Sequence, residues 1–127
     1  DYTNGTLRER NHVIDETPLN FKVNVLQDHP ITTGLESFSA YGVWALRGTA
    51  PHAVVLAETS PKAWVDLDRD NRFSGRDAEQ SFGVMVAGEL DRGRYVVFGD
   101  DAIFQNRFFD ENNRQLALQM LNWLAKR

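Results

Sequence analysis

Three observations predict an α/β fold with a mixed central sheet, an antiparallel hairpin and a C-terminal amphipathic helix. Residues 53–57 (AVVLA), 82–87 (FGVMVA) and 95–98 (YVVF) are continuously apolar, the mark of strands covered on both faces. The second and third are separated only by residues 88–94. That link is too short for the dozen-residue crossover a parallel pair needs, so it specifies a hairpin turning at Asp91, Arg92 and Gly93. Finally, Leu116, Met120, Trp123 and Leu124 recur at helical spacing.

Taken in order, residues 1–20 are polar, carry Asn4-Gly5 as a turn signal and Pro18 as a breaker, and read as an irregular lead-in. Phe21, Val23 and Val25 alternate with Lys22 and Asn24, the period of a half-buried strand near an edge. Residues 29–35 (HPITTGL) read as a turn, with Asp28 as its cap, a preset φ at Pro30 and closure by Gly34 at positive φ. Residues 41–46 (YGVWAL) suit a further strand that Gly42 weakens. After the hairpin, Gly99-Asp100-Asp101 stops the strand and starts a short helix to about Asn106, with Asp100 or Asp101 as N-cap. The final helix runs from about Glu111 to Lys126. Gln115, Gln119, Asn122 and Lys126 lie on its polar face, and the acidic Asp110 and Glu111 sit at its positive end.

The 127 residues, 42% hydrophobic and 25% charged, make a single domain or the C-terminal part of one. No cysteine is present, which excludes disulfides, thiolate metal sites and a cysteine nucleophile. A net charge of −4 with scattered basic residues gives no reason to expect nucleic acid as a partner. No apolar run approaches the ~20 residues that insert a segment into a bilayer. The chain begins with Asp1 rather than Met and has no hydrophobic segment before residue 21, as expected of a piece of a longer protein.

Residues 66–79 (DLDRDNRFSGRDAE) hold the strongest chemical signal. Asp66, Asp68 and Asp70 take the first, third and fifth places of an EF-hand-type loop. Arg72 offers its carbonyl at the seventh, Phe73 is the apolar eighth and Asp77 is the twelfth. Alternate carboxylates on one side of a tight loop are what a hard cation needs, so calcium in a structural role is the ion this spacing fits. The loop departs from the pattern twice. Asn71 stands where glycine is usual, and Asp77 is shorter than the usual glutamate, whose place Glu79 can take. The alternative is an acidic surface loop neutralised by Arg69, Arg72 and Arg76 without an ion.

Asp100 and Asp101 form a second candidate, at the carboxyl end of a buried strand where open α/β sheets bind ligands. Two carboxylates there can orient a substrate hydroxyl, a metal or a water; the plainer role is a helix cap. His12, His29 and His52 fall in separate loops, and His29 beside Pro30 suits a backbone hydrogen bond. Neither a G-x-S-x-G elbow nor a phosphate-binding glycine motif occurs. Of Trp44, Trp64 and Trp123, only Trp64 is a candidate for an exposed stacking surface, and the core suits even that one better.

Several segments in order resemble one family: His29-Pro30-Ile31-Thr32 with Gly34-Leu35, Val55-Leu56-Ala57 with Thr59, and Ala63-Trp64 with Asp66. The same order continues in Gly93-Arg94 with Val96-Val97-Phe98-Gly99-Asp100 and Asn106, then in Asn122-Trp123-Leu124. Together, over residues 29–124, they are similar to the glutamine-amidotransferase-like, flavodoxin-like domains associated with ABC-type transport, gliding motility and intraflagellar transport proteins. Asp101 stands where such domains often carry serine. The resemblance implies the C-terminal part of a three-layer domain whose first strands lie upstream. It also implies a non-catalytic ligand- or protein-binding module of a larger, extracytoplasmic or membrane-associated protein, with its protein or small-molecule partner unspecified. Amidotransferases use a cysteine in the domain's first half, which this chain neither contains nor covers. The competing expectation is a hydrolase of a small or glycan-type substrate, with Asp100 and Asp101 as acid and base.

Overall fold

The computed structural model describes residues 6–126. Among these residues nine strands precede one α-helix: β1 (Val13–Ile14), β2 (Thr17–Val23), β3 (Val25–Leu26), β4 (Phe38–Tyr41), β5 (Val54–Glu58), β6 (Trp64–Val65), β7 (Ala78–Glu79), β8 (Gly83–Leu90), β9 (Gly93–Phe98) and α1 (Glu111–Ala125). They form sheets of order β1-β2-β4, β3-β5-β8-β9 and β6-β7. The protein is thus mixed α/β, but every strand pair among the described residues is antiparallel. Turns, not helical crossovers, connect the strands, so the sheet that the sequence led us to expect as mixed has no parallel member.

The expected alternation holds at Phe21 and Val23 but not at Val25, which is 38% exposed on β3, and β2 is the middle strand of its sheet rather than one near an edge. Phe21 and Val23 are buried on β2 opposite Ala40 and Phe38 of β4. At Asn24 the chain leaves that sheet, and β3 pairs instead with β5, Val25 against Glu58. The β8–β9 hairpin is as expected, with Met85 opposite Phe98 and Leu90 opposite Gly93. Register separates the two faces of this sheet. Met85, Ala87, Val96 and Phe98 share one, which lies in the core with Leu116 and Trp123; Val55, Val86, Tyr95 and Val97 share the other. Residues 46–53 cover that second face only in part, leaving Val97 44% exposed. Apolar continuity therefore marks two-sided burial on the central β8 but not along all of β5 and β9.

Four local expectations need correction. Residues 6–20 are ordered. Asn4-Gly5 lies outside the described residues, but Leu7 is fully buried and β1 and β2 turn back on each other through Asp15 and Glu16, both at positive φ. Pro18 fits β2 because pairing with β4 begins only at Asn20. The strand expected at 41–46 lies earlier, as β4: Gly42, at φ +86°, turns the chain out, and Trp44 and Leu46 make single bridges while Trp44 stays 37% exposed. Residues 101–105 are turns followed by a 3-10 turn at Asn106–Phe108, not a helix capped by Asp100 or Asp101. Gln115 and Gln119 are half-buried: Gln115 donates to Gln119, which donates to the Ile31 carbonyl at 2.7 Å.

The turn at residues 30–34 forms as expected, with Gly34 at φ +75°. Inside it the Ile31 N–H donates to His29 Nδ1 at 3.2 Å, and the His29 ring meets Trp123 edge-on at 5.1 Å. Asp110 caps α1 by accepting from the Asn113 N–H at 2.8 Å. Leu116 and Trp123 bury the helix against the core, and Arg94 stacks over Trp123 while donating to its carbonyl. Burial, then the Arg94 charge, hold the His29 imidazole below its ordinary value, against a weaker pull from Glu89.

Trp123 is 8% exposed, so Trp123→Ala should cost about 3–5 kcal/mol by chemical denaturation, through lost burial and an unfilled cavity. A cost below about 1 kcal/mol would contradict its packing role. His29 sets a pH dependence: protonation converts the Ile31 acceptor into a donor, and the folded state binds that proton less readily than the unfolded chain. Stability from this group is therefore full above the unfolded value of 6.5 and is lost as pH falls through the lowered folded value. In His29→Asn, whose side-chain oxygen can still accept, the acid-side loss should flatten relative to the parent; identical slopes would contradict this.

Candidate metal centre

The β6–β7 ribbon, with Trp64 opposite Glu79 and Val65 opposite Ala78, forms the neck of the 66–77 loop. It is held from outside by Arg8, whose backbone N–H and C=O pair with Trp64 at 2.9 and 2.8 Å. Phe73 folds back edge-on to Trp64 at 5.6 Å, and the Arg10 guanidinium lies over Phe73 at 4.1 Å. Trp64 is buried.

Inside the loop, carboxylates bond backbone N–H groups a few residues away, the local habit that makes aspartate a turn residue. Asp66 Oδ2 accepts from Asn71 at 2.9 Å, Asp68 Oδ1 from Asp70 at 3.4 Å, and Asp70 Oδ1 from Arg72 at 2.8 Å. Arg69 and Asn71 take positive φ, +66° and +60°. Asparagine tolerates that conformation better than most residues, so it can stand where glycine is usual.

These turns bring one carboxylate oxygen each from Asp66, Asp68 and Asp70 within 4.8 Å of one another. Oxygens bound to one hard cation at about 2.3–2.6 Å lie within roughly twice that distance of each other, so the set fits such an ion. Asp66 is 2% exposed, and its Oδ1, like the Nη1 of the facing Arg8, is buried with no hydrogen-bond partner among the described residues. Burial alone would raise the Asp66 carboxyl. Donation from Asn71, contact with Asp68, the Arg8 charge and the Asp70 N–H outweigh it, so Asp66 is held below the carboxylate range. Asp68 is pushed up, first by desolvation and then by its carboxylate neighbours, against the pull of the Asp70 N–H.

Asp77 and Glu79 lie outside this set of oxygens, although the Ser74 hydroxyl links Asp77 to Asp68 at 3.4 Å on each side. Asp77 accepts from the Leu67 and Ser74 N–H groups at 3.0 and 2.8 Å, which ties the two ends of the loop together. Glu79 pairs with Arg10 on the neck. The Arg72 N–H donates to Asp70. The arginine facing Asp66 is Arg8, at 4.0 Å and from far outside the loop; it also donates to the Asn71 side chain at 3.3 Å. Sequence spacing gave no sign of it, because its approach depends on the bridge to Trp64.

The second candidate pair divides. Asp100 is 8% exposed, and its oxygens accept from the Tyr41 N–H at 2.5 Å and the Ala102 N–H at 2.7 Å. Burial chiefly raises its carboxyl above the usual range, with Asp101 adding to the effect against those two donors. Asp101 is exposed. Gly99 must be glycine, since a Cβ there would drive into the Trp44 carbonyl. Concave surfaces lie at the β8–β9 hairpin and along the 45–53 segment, one of them reaching Gln80 and Ser81.

No family model matches the chain, and comparisons with curated proteins and with solved structures give no match. No helix among the described residues is long and apolar enough to cross a membrane.

Proposed function

We propose that this chain is a non-catalytic ligand- or protein-binding module in which a hard divalent cation, calcium, organises the 66–77 loop. The observation that carries the metal reading is the buried Asp66 oxygen with no hydrogen-bond partner, beside two further carboxylates. A buried, unsatisfied carboxylate oxygen is costly, and a cation removes that cost. Asp66, Asp68 and Asp70 supply side-chain oxygens, and the Arg72 carbonyl is the next donor along the loop. Asp77 closes the loop ends, and Glu79 stays with Arg10.

The binding-module reading draws on the resemblance to glutamine-amidotransferase-like, flavodoxin-like domains, a resemblance that implies the C-terminal part of a three-layer domain in an envelope-associated protein. Asp100, whose two oxygens hold backbone donors, supports a bracing role better than acid–base chemistry. The ion's part is to fix the loop against Trp64 and the 8–10 segment as a rigid surface.

Calcium titration followed by thermal melting tests the metal. A cation that binds only the folded chain stabilises it by about 2.7 kcal/mol at a hundredfold excess over Kd. Millimolar calcium should raise Tm, chelator should lower it, and Asp68→Ala, an exposed position, should abolish the response while the protein stays folded. A Tm indifferent to both calcium and chelator would overturn the proposal.

A further inference from the structure

Arg8 stands beside the aspartate cluster without bonding to it. Its Nη2 lies 4.0 Å from Asp66 Oδ2, too far for a hydrogen bond, and donates instead to the Asn71 side chain at 3.3 Å. Asp66 Oδ2 in turn accepts from the Asn71 N–H at 2.9 Å. Arg8 Nη1 and Asp66 Oδ1 are both buried without hydrogen-bond partners among the described residues, although the two side chains face each other. A guanidinium and a carboxylate that are free to approach close into a two-bonded pair. These two are not free. The Arg8 backbone is paired in both directions with Trp64, and its guanidinium lies over the Trp64 ring at 5.3 Å, so the neck of the loop fixes where the charge sits.

Resting on the metal reading above, we propose that Arg8 is a resident competitor of the cation at this loop, and that its charge sets how tightly the site binds and which ionic charge it prefers. The three clustered carboxylates carry −3, and the one guanidinium facing them leaves −2, which a divalent ion cancels and a trivalent ion exceeds. The Arg8 and Asp66 side chains are 13% and 2% exposed, so water and salt screen this charge weakly. Arg69, Arg72 and Arg76 are exposed and well screened, and Arg10 is paired with Glu79. Arg8 is therefore the positive charge that a bound ion feels most among the described residues.

Coulomb repulsion scales with the product of the charges, so it weighs on a trivalent ion about 1.5 times as heavily, in free energy, as on a divalent one. A lowered net charge also sets the loop toward the weaker, readily exchanged end of calcium sites, whose affinity follows the charge count of their ligands.

Calcium and terbium titrations of the whole chain, read by calorimetry, test this. Arg8→Met keeps an apolar stem over Trp64 and removes the charge. It should tighten calcium about tenfold and terbium about thirtyfold, the first gain raised to the power of about 1.5. Arg8→Lys, which restores a charge, should lie closer to the parent than to Arg8→Met for both ions, and Arg76→Met, at an exposed position, should bind as the parent does. One readout needs no substitution and stands even where a variant fails to fold. In the parent, calcium should shift the Arg8 guanidinium resonance and the Trp64 emission, because the ion takes Asp66 from the arginine. Unchanged or weaker binding in Arg8→Met, equal tightening of the two ions, or calcium binding that leaves the Arg8 resonance unmoved overturns the competitor and leaves the metal site standing. Calcium binding by Arg8→Met but not by the parent supports it. Binding of neither ion by either chain overturns the metal reading and the competitor together.

Discussion

The outer edge of β4 is the constraint on which the rest of this structure turns. β4 pairs with β2 on one side only, so its other edge presents N–H and C=O groups that would be buried without partners. Two side chains take the place of a missing strand. Asn113, fully buried on α1, accepts from the Ser39 N–H at 2.8 Å and donates to the Ser39 carbonyl and the Ile103 carbonyl, both at 3.0 Å. Asp100 accepts from the next outward donor, the Tyr41 N–H. A side-chain amide offers a donor and an acceptor as a peptide does, so one residue both docks the helix and closes the sheet edge.

Much else follows from that seal. Asp110 caps α1 and also accepts from the Ser39 hydroxyl at 2.9 Å, so helix start and strand edge are fixed by the same few atoms. With its N-terminus pinned, α1 lays Leu116 and Trp123 over the face of β8 and β9 that carries Met85 and Ala87. The acidic loop belongs to the opposite style of construction. It is held by short-range turns and by Arg8, and among the described residues the buried Asp66 Oδ1 and the Nη1 of the facing Arg8 both lack hydrogen-bond partners.

Both the legible and the illegible parts of this chain have physical reasons. The β8–β9 hairpin could be read because two continuous apolar runs flank a link too short for any other connection, and α1 because its apolar residues keep one period for two turns beyond a good cap. The lead-in could not. Asp15 and Glu16 turn at positive φ without the glycine or asparagine that usually announces it, and the burial of Leu7 depends on contacts far along the chain. The strand expected at 41–46 was misplaced because side-chain apolarity continues past Gly42 while its backbone departs from the sheet. Asp100 followed by Asp101 looks like a helix start, but its carboxylate is drawn to Tyr41, a partner no local pattern reveals. In the candidate site, the alternate spacing of Asp66, Asp68 and Asp70 is what lets turns gather them. No local pattern reveals Arg8, or the pairing of Glu79 with Arg10.

Asn113→Asp, measured by chemical denaturation at neutral pH, tests the edge seal most directly. The two side chains are nearly the same size, so packing alone predicts little change. Aspartate can still accept from Ser39 but sets an oxygen against the carbonyls of Ser39 and Ile103. Leaving those buried acceptors unmet, with a charge beside them, should cost at least about 3 kcal/mol. A loss below about 1 kcal/mol would contradict the claim that this amide holds the helix to the sheet.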